Sequence, residues 1–73
     1  MTQRRNRQLV RAFALIRLLH RGRYTVAALA QPLGVTTRTV RRDLEALIDA
    51  GVPVSRDGED AAVYWIDRDW SLL

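Results

Sequence analysis

A mainly helical α+β fold is predicted by three features of this 73-residue chain. Apolar residues recur at intervals of three and four between Arg7 and Ala50, the period of helices with one buried face. Beyond Gly51 the alternation shortens to two, the period of a strand. Glycine, threonine and proline punctuate the chain at 22–25, 32–37 and 51–53, which cuts its first part into three helices and sets a hairpin apart from them. At this length, with 48% apolar content, residues 1–73 make a single domain whose core is nearly fully used. Little room is left for a buried catalytic pocket.

Helix 1 is expected over Arg7–His20, with Leu9, Phe13, Ile16 and Leu19 as its inward stripe, after a polar, flexible arm at residues 1–6. A second row, Val10, Ala14 and Leu18, is too apolar for a freely solvated face; it either covers a small sheet or docks a partner. The run RGRYT (Arg21 to Thr25) stops this helix at Gly22, allows a short extended Tyr24 and offers Thr25 as the next N-cap.

Helix 2 should run from Val26 to about Gln31 with Val26, Leu29 and Ala30 inward. Pro32 has no N–H for the carbonyl of Ala28 and crowds it, so the helix is expected to end or kink there. In LGVTT (Leu33 to Thr37), Gly34 takes a positive φ, Val35 plugs the core and Thr36 caps helix 3. Helix 3 spans Thr37 to about Ala50, stopped by Gly51 and Pro53. VPVSR and AAVYWI then form a hairpin around Asp57, Gly58, Glu59 and Asp60, with Tyr64 and Ile66 preferred inward and the opposite register left open. Residues 67–73 are expected to begin a linker towards a domain outside this chain.

The charge is divided along the sequence. Residues 1–42 hold ten arginines and no acid, whereas residues 43–73 hold all eight acids with only Arg56 and Arg68, so the halves carry +10 and −6. That asymmetry points to a polyanion facing the first half. A mitochondrial transit peptide has a similar arginine-rich, acid-free composition, but it has no need of the cap and turn signals found here. No cation is a lysine; every one is a planar fork suited to phosphate or guanine, although a GC-rich genome produces the same bias.

On helix 3, Val40, Leu44, Leu47 and Ile48 form one face. At about 100° per residue, Arg38, Thr39 and Arg42 point away from it and Arg41 lies at its border. Three helices with a short turn before the third, followed by a C-terminal β-hairpin, describe a winged helix-turn-helix. In that arrangement a capped third helix enters the major groove of double-stranded DNA. Arginine forks onto guanine O6 and N7, and threonine bonds a base edge or touches a thymine methyl. The DNA-facing candidates are Thr36, Thr37, Arg38, Thr39, Arg41 and Arg42, with Arg4, Arg5 and Arg7 as phosphate contacts or a minor-groove arm.

The run LAQPLGVTTRTVRRDLEALIDAGVPV (Leu29 to Val54) resembles the N-terminal domain of bacterial WYL-domain transcriptional regulators and, more distantly, of DeoR-type repressors. The resemblance covers roughly residues 9–66. It implies sequence-specific DNA binding by a cytoplasmic transcriptional regulator, homodimeric at full length, with Thr36 in the place of the usual cap serine and Arg38, Thr39, Arg41 and Arg42 facing DNA. Asp43 matches an acid that orients neighbouring arginines or caps the fold. Two positions depart from the pattern: Pro32 replaces a polar helical residue, and the hairpin tip DGED replaces a glycine-rich, often basic one.

Other classes find little footing. His20 is the only histidine, and at the end of helix 1 it reads as a C-terminal cap rather than a general base, so no enzyme activity is expected. Asp57, Glu59 and Asp60 lack the spacing of a calcium loop, and there is no cysteine, so neither a metal nor a cofactor is expected. No small-molecule ligand of this domain is expected, and no apolar run approaches a membrane span. The alternative kept open is a protein-interaction module using the acidic hairpin with Trp65 and Trp70.

Overall fold

The computed structural model describes residues 3–71, with side chains described from Arg7 onward. Its elements are α1 (Gln3–Arg21), β1 (Tyr24–Thr25), α2 (Val26–Leu33), α3 (Thr37–Asp49), β2 (Val54–Asp57) and β3 (Val63–Ile66). The three strands form one antiparallel sheet in the order β1-β3-β2, with Tyr24 opposite Tyr64 and Arg56 opposite the same Tyr64 on the other side. The extended Tyr24 thus supplies an edge strand, and the expected hairpin becomes a three-stranded sheet. Leu15 and Leu19 of α1, Leu29 of α2, Val40 and Leu44 of α3 and Ile66 of β3 are the centre of the core. No helix among the described residues is long and apolar enough to cross a membrane.

Helix α1 corrects the sequence reading twice. It begins at Gln3, so backbone expected as a flexible arm is helical from that residue; Met1 and Thr2 lie outside the described residues. Its buried stripe also differs in part: Leu19 is buried and Ile16 packs on the core as expected, but Leu9 and Phe13, expected inward, are 61% and 46% exposed, and Leu15, at 0%, takes their place. Arg11, Leu15, Leu18 and Leu19 share one helical face, and the arginine in that row disguises it as polar. Arg11 tolerates the position because it has an acid to meet there. The row Val10, Ala14 and Leu18 turns towards the end of α2 rather than the sheet, bordering Pro32 and Leu33; Leu18 packs on the core and Val10 remains 67% exposed.

Helix α2 continues through Pro32 to Leu33 instead of ending before the proline. Pro32 stands in the last turn, where its fixed φ suits a helix, and the carbonyl deprived of its donor belongs to Ala28, an exposed residue that water reaches. The stop comes two residues later. Gly34 is left-handed at φ 66°, its N–H donates to the Gln31 carbonyl at 3.1 Å, and the Val35 N–H donates to the Ala30 carbonyl at 3.1 Å. That pair of bonds is a Schellman motif, and it carries Val35 onto the core. Helix α3 ends the same way: the Gly51 N–H (φ 96°) reaches the Ile48 carbonyl at 3.0 Å and the Val52 N–H reaches that of Leu47 at 2.9 Å. The inward face of α3 is Val40, Leu44 and Leu47; Ile48, expected with them, is 51% exposed.

The hairpin has the preferred register. Ile66 is buried and Tyr64 packs on the core, while Trp65 faces the other way with the Arg23 guanidinium 4.0 Å from its ring centroid. Asp57 is the last residue of β2 rather than part of the connecting loop. The expected linker is folded as far as it is described. Asp67 accepts from the Asp69 N–H at 2.9 Å and the Trp70 N–H at 3.1 Å, through its side chain and its carbonyl respectively, and this turn lays Trp70 against the core. Leu72 and Leu73 lie outside the described residues. His20 meets that tryptophan, ring centroids 6.0 Å apart, with its Nε2 buried and unpartnered rather than capping α1.

Candidate nucleic-acid interface

The orientation of α3 is set at its first turn. Thr36 is extended (φ −79°, ψ 161°), and its Oγ1 accepts the Thr39 N–H at 3.2 Å, satisfying one of the free donors at the helix start. The Thr36 hydroxyl also lies 3.2 Å from the Thr39 hydroxyl and donates to it. These two candidates are therefore engaged with each other: Thr36 shapes the helix start, and Thr39 is half-buried beside it. Thr37, Arg38, Arg41 and Arg42 are exposed. With Val40 and Leu44 inward, Arg38 and Arg42, one turn apart, form the outermost ridge of α3.

Thr37 and Arg41 lie to one side of that ridge, on a cleft of about 430 Å³ between α3, the start of α2 and the sheet. Its far wall is Arg56, Glu59 and Tyr64, and Thr25 closes one end. Arg56 is a candidate that reading the sequence missed. It pairs across the strands with Tyr64, and its guanidinium lies 6.0 Å from that ring centroid, within cation–π range. The signal was present: alternation along β2 puts Arg56 on the same side of the sheet as Val54, the side facing the helices. Glu59 stands in the same cleft with opposite charge.

On the other side of the turn, Arg7 borders a groove with Gly34 and Val35, next to the start of α3. The side chains of Arg4 and Arg5 lie outside the described residues. Arg11 is already occupied: its Nε donates to Oδ2 of Asp43 at 2.5 Å and its Nη2 to Oδ1 at 3.3 Å, a two-pronged pair joining α1 to α3. The hydrogen bond to Asp43 raises the Arg11 pKa above its ordinary value, outweighing the opposing effect of burial. Among the described residues no group of three His, Asp or Glu side chains is placed to hold a metal ion.

A capped helix that projects arginines from its outer ridge, preceded by a glycine turn and flanked by a small antiparallel sheet, defines a winged helix-turn-helix. The HTH domain family matches residues 11–58, more than half of the chain, from the paired arginine of α1 to the glycine of the wing tip. The chain belongs to this family of DNA-binding domains. No curated protein and no solved structure matches it.

Proposed function

We propose that the domain reads double-stranded DNA sequence for a bacterial transcriptional regulator of the WYL group or its DeoR-type relatives, without enzymatic activity of its own, in the cytoplasm. The observation carrying this reading is the first half of α3: a Thr36-capped helix start with Arg38, Arg41 and Arg42 exposed and free of acidic partners among the described residues. Placed in the major groove, the Arg38–Arg42 ridge meets base edges. Arg41 and Arg56 line the cleft nearest one strand of phosphates, and Arg7 approaches the other from the turn. One domain presents one recognition helix, so a full-length homodimer reading a repeated site fits the arrangement.

Selection of bound duplexes from a random-sequence pool tests the reading, followed by Arg42→Ala on the selected duplex. The expected loss is about 1–3 kcal/mol with relaxed preference at one base pair. Failure to enrich any sequence would remove sequence reading, and an equal loss on every duplex would make Arg42 a phosphate contact. The interaction-module alternative is weakened by its own tryptophans: Trp65 lies under Arg23 and Trp70 packs on the core.

The wing tip works against binding. Asp57, Glu59 and Asp60 are all exposed, and Glu59 faces the cleft that Arg41 and Arg56 line. Within a Debye length of the phosphates each acid opposes association. Changing the three together to Asn, Gln and Asn should tighten binding about two- to fivefold near 0.1 M salt, more at lower salt, without altering sequence preference. Weaker binding at every salt concentration would show those side chains bonding to DNA directly.

A further inference from the structure

We infer that Arg11 is a positioning residue for DNA recognition: through its two-pronged bond to Asp43 it sets the angle of α3, and it neutralises the only acid within the basic half of that helix. The inference rests on the assignment of α3 as the reading element. Three observations carry it. Asp43 directly follows Arg42, but its side chain turns away from the Arg38–Arg42 ridge and meets α1 32 residues back in the chain, with side-chain exposures of 21% for Arg11 and 15% for Asp43. Both guanidinium-to-carboxylate bonds are formed, and a two-point contact restrains rotation where a single bond would not. Elsewhere along this side of α3 an open cleft of about 490 Å³, lined by Gln8, Leu9 and Ala12 of α1 and by Ala46, Leu47 and Ala50, lies between the two helices, so the pair spans a stretch that packing does not close.

The electrostatic consequence is separate from the geometric one. An unpaired Asp43 would place a negative charge one residue from Arg42, beside the path of the phosphates. Paired, most of its charge is cancelled at the reading face. Arg11 for its part is removed from the cations available to phosphate. One of the ten arginines of the basic half is thus turned inward to hold the contact surface.

The quantity to measure is the ratio of affinities for the duplex selected from the random pool and for a scrambled duplex of equal length, together with the salt slope and thermal melting. Arg11→Gln and Asp43→Asn should each lower the ratio by at least about fivefold, the scale of one misplaced base-edge contact, at a temperature where melting shows both variants folded. They should differ in absolute affinity for the scrambled duplex. Arg11→Gln leaves Asp43 uncompensated and weakens it, whereas Asp43→Asn removes an acid and strengthens it. The salt slope of Arg11→Gln should not fall, and the exchange of both residues, Arg11→Asp with Asp43→Arg, should recover part of the ratio. A wild-type ratio in both folded single variants overturns the inference. So does a slope reduced by about one in Arg11→Gln, which makes Arg11 a phosphate contact. If either single variant does not fold, Arg11→Lys decides: it keeps the charge and loses the second prong, and an unchanged ratio overturns positioning. Wild-type protein that enriches no sequence fails a different claim, the reading by α3.

Discussion

Raising the salt from about 50 to about 200 mM is expected to weaken binding to any DNA duplex by roughly 10²–10³, the result of a log–log slope of about −4 to −5 from 4 to 6 neutralised phosphates. The cations available are exposed and grouped around one side of the fold. Arg38, Arg41 and Arg42 stand on α3, Arg56 on the wing and Arg7 beside the turn. Arg11 is not among them, because Asp43 holds it. The acid-free first 42 residues and the acid-rich remainder give the protein the asymmetry that orients such an encounter. Titration of a labelled duplex at four salt concentrations reads the slope directly. A slope near zero would mean that the arginines do not face phosphate, and the DNA reading would lose its electrostatic basis.

Most of the fold was legible because its signals are local. Thr36 was readable as a cap, Gly34 and Gly51 as positive-φ stops, and Tyr64 and Ile66 as the inward pair, since each follows from the conformational preference of a residue and its near neighbours. Pro32 does not end α2, because the cost of a proline depends on whose carbonyl it strands. Ala28 is exposed, so the chain continues through Leu33. Trp70 was assigned to a linker because nothing near it in sequence shows that the Asp67 turn folds it back onto the core.

For the candidate site, exposure was legible in the sequence and pairings were not. Arg38, Arg41 and Arg42 emerge exposed, as helical geometry requires once Val40 and Leu44 are buried. Thr39 is partly withdrawn by the Thr36 cap, and Arg56 reaches the cleft beside Arg41 through its register with Tyr64. The Arg11–Asp43 pair spans 32 residues, and no periodicity within either helix indicates it. That same long-range pair displaced part of the reading of α1: of the expected stripe Leu9, Phe13, Ile16 and Leu19, the last two do meet the core, but Leu15, on the row that carries Arg11, was passed over.

Two leucines of α1 decide between those stripes. Leu15→Ala is expected to cost about 2–5 kcal/mol, because Leu15 is 0% exposed within the cluster shared by all three helices, and removing its branch leaves a cavity that close-packed neighbours fill only partly. Leu9→Ala, the same chemical change six residues earlier, should stay within about 0.5 kcal/mol, because Leu9 is 61% exposed and loses little burial. A domain of this size has roughly 4–11 kcal/mol in total. Leu15→Ala therefore removes a large share of the stability and lowers the midpoint of urea unfolding in proportion, with the slope of the transition unchanged as long as unfolding remains two-state. DNA that binds only the folded form should recover about 2.7 kcal/mol at a hundredfold excess over Kd, so the Leu15→Ala domain should melt markedly higher with its duplex than without. Equal costs for the two substitutions, or a larger one for Leu9, would place the buried face of α1 on the other stripe. Arg11 would then face solvent rather than Asp43, and the bond holding α3 in position would be lost with it.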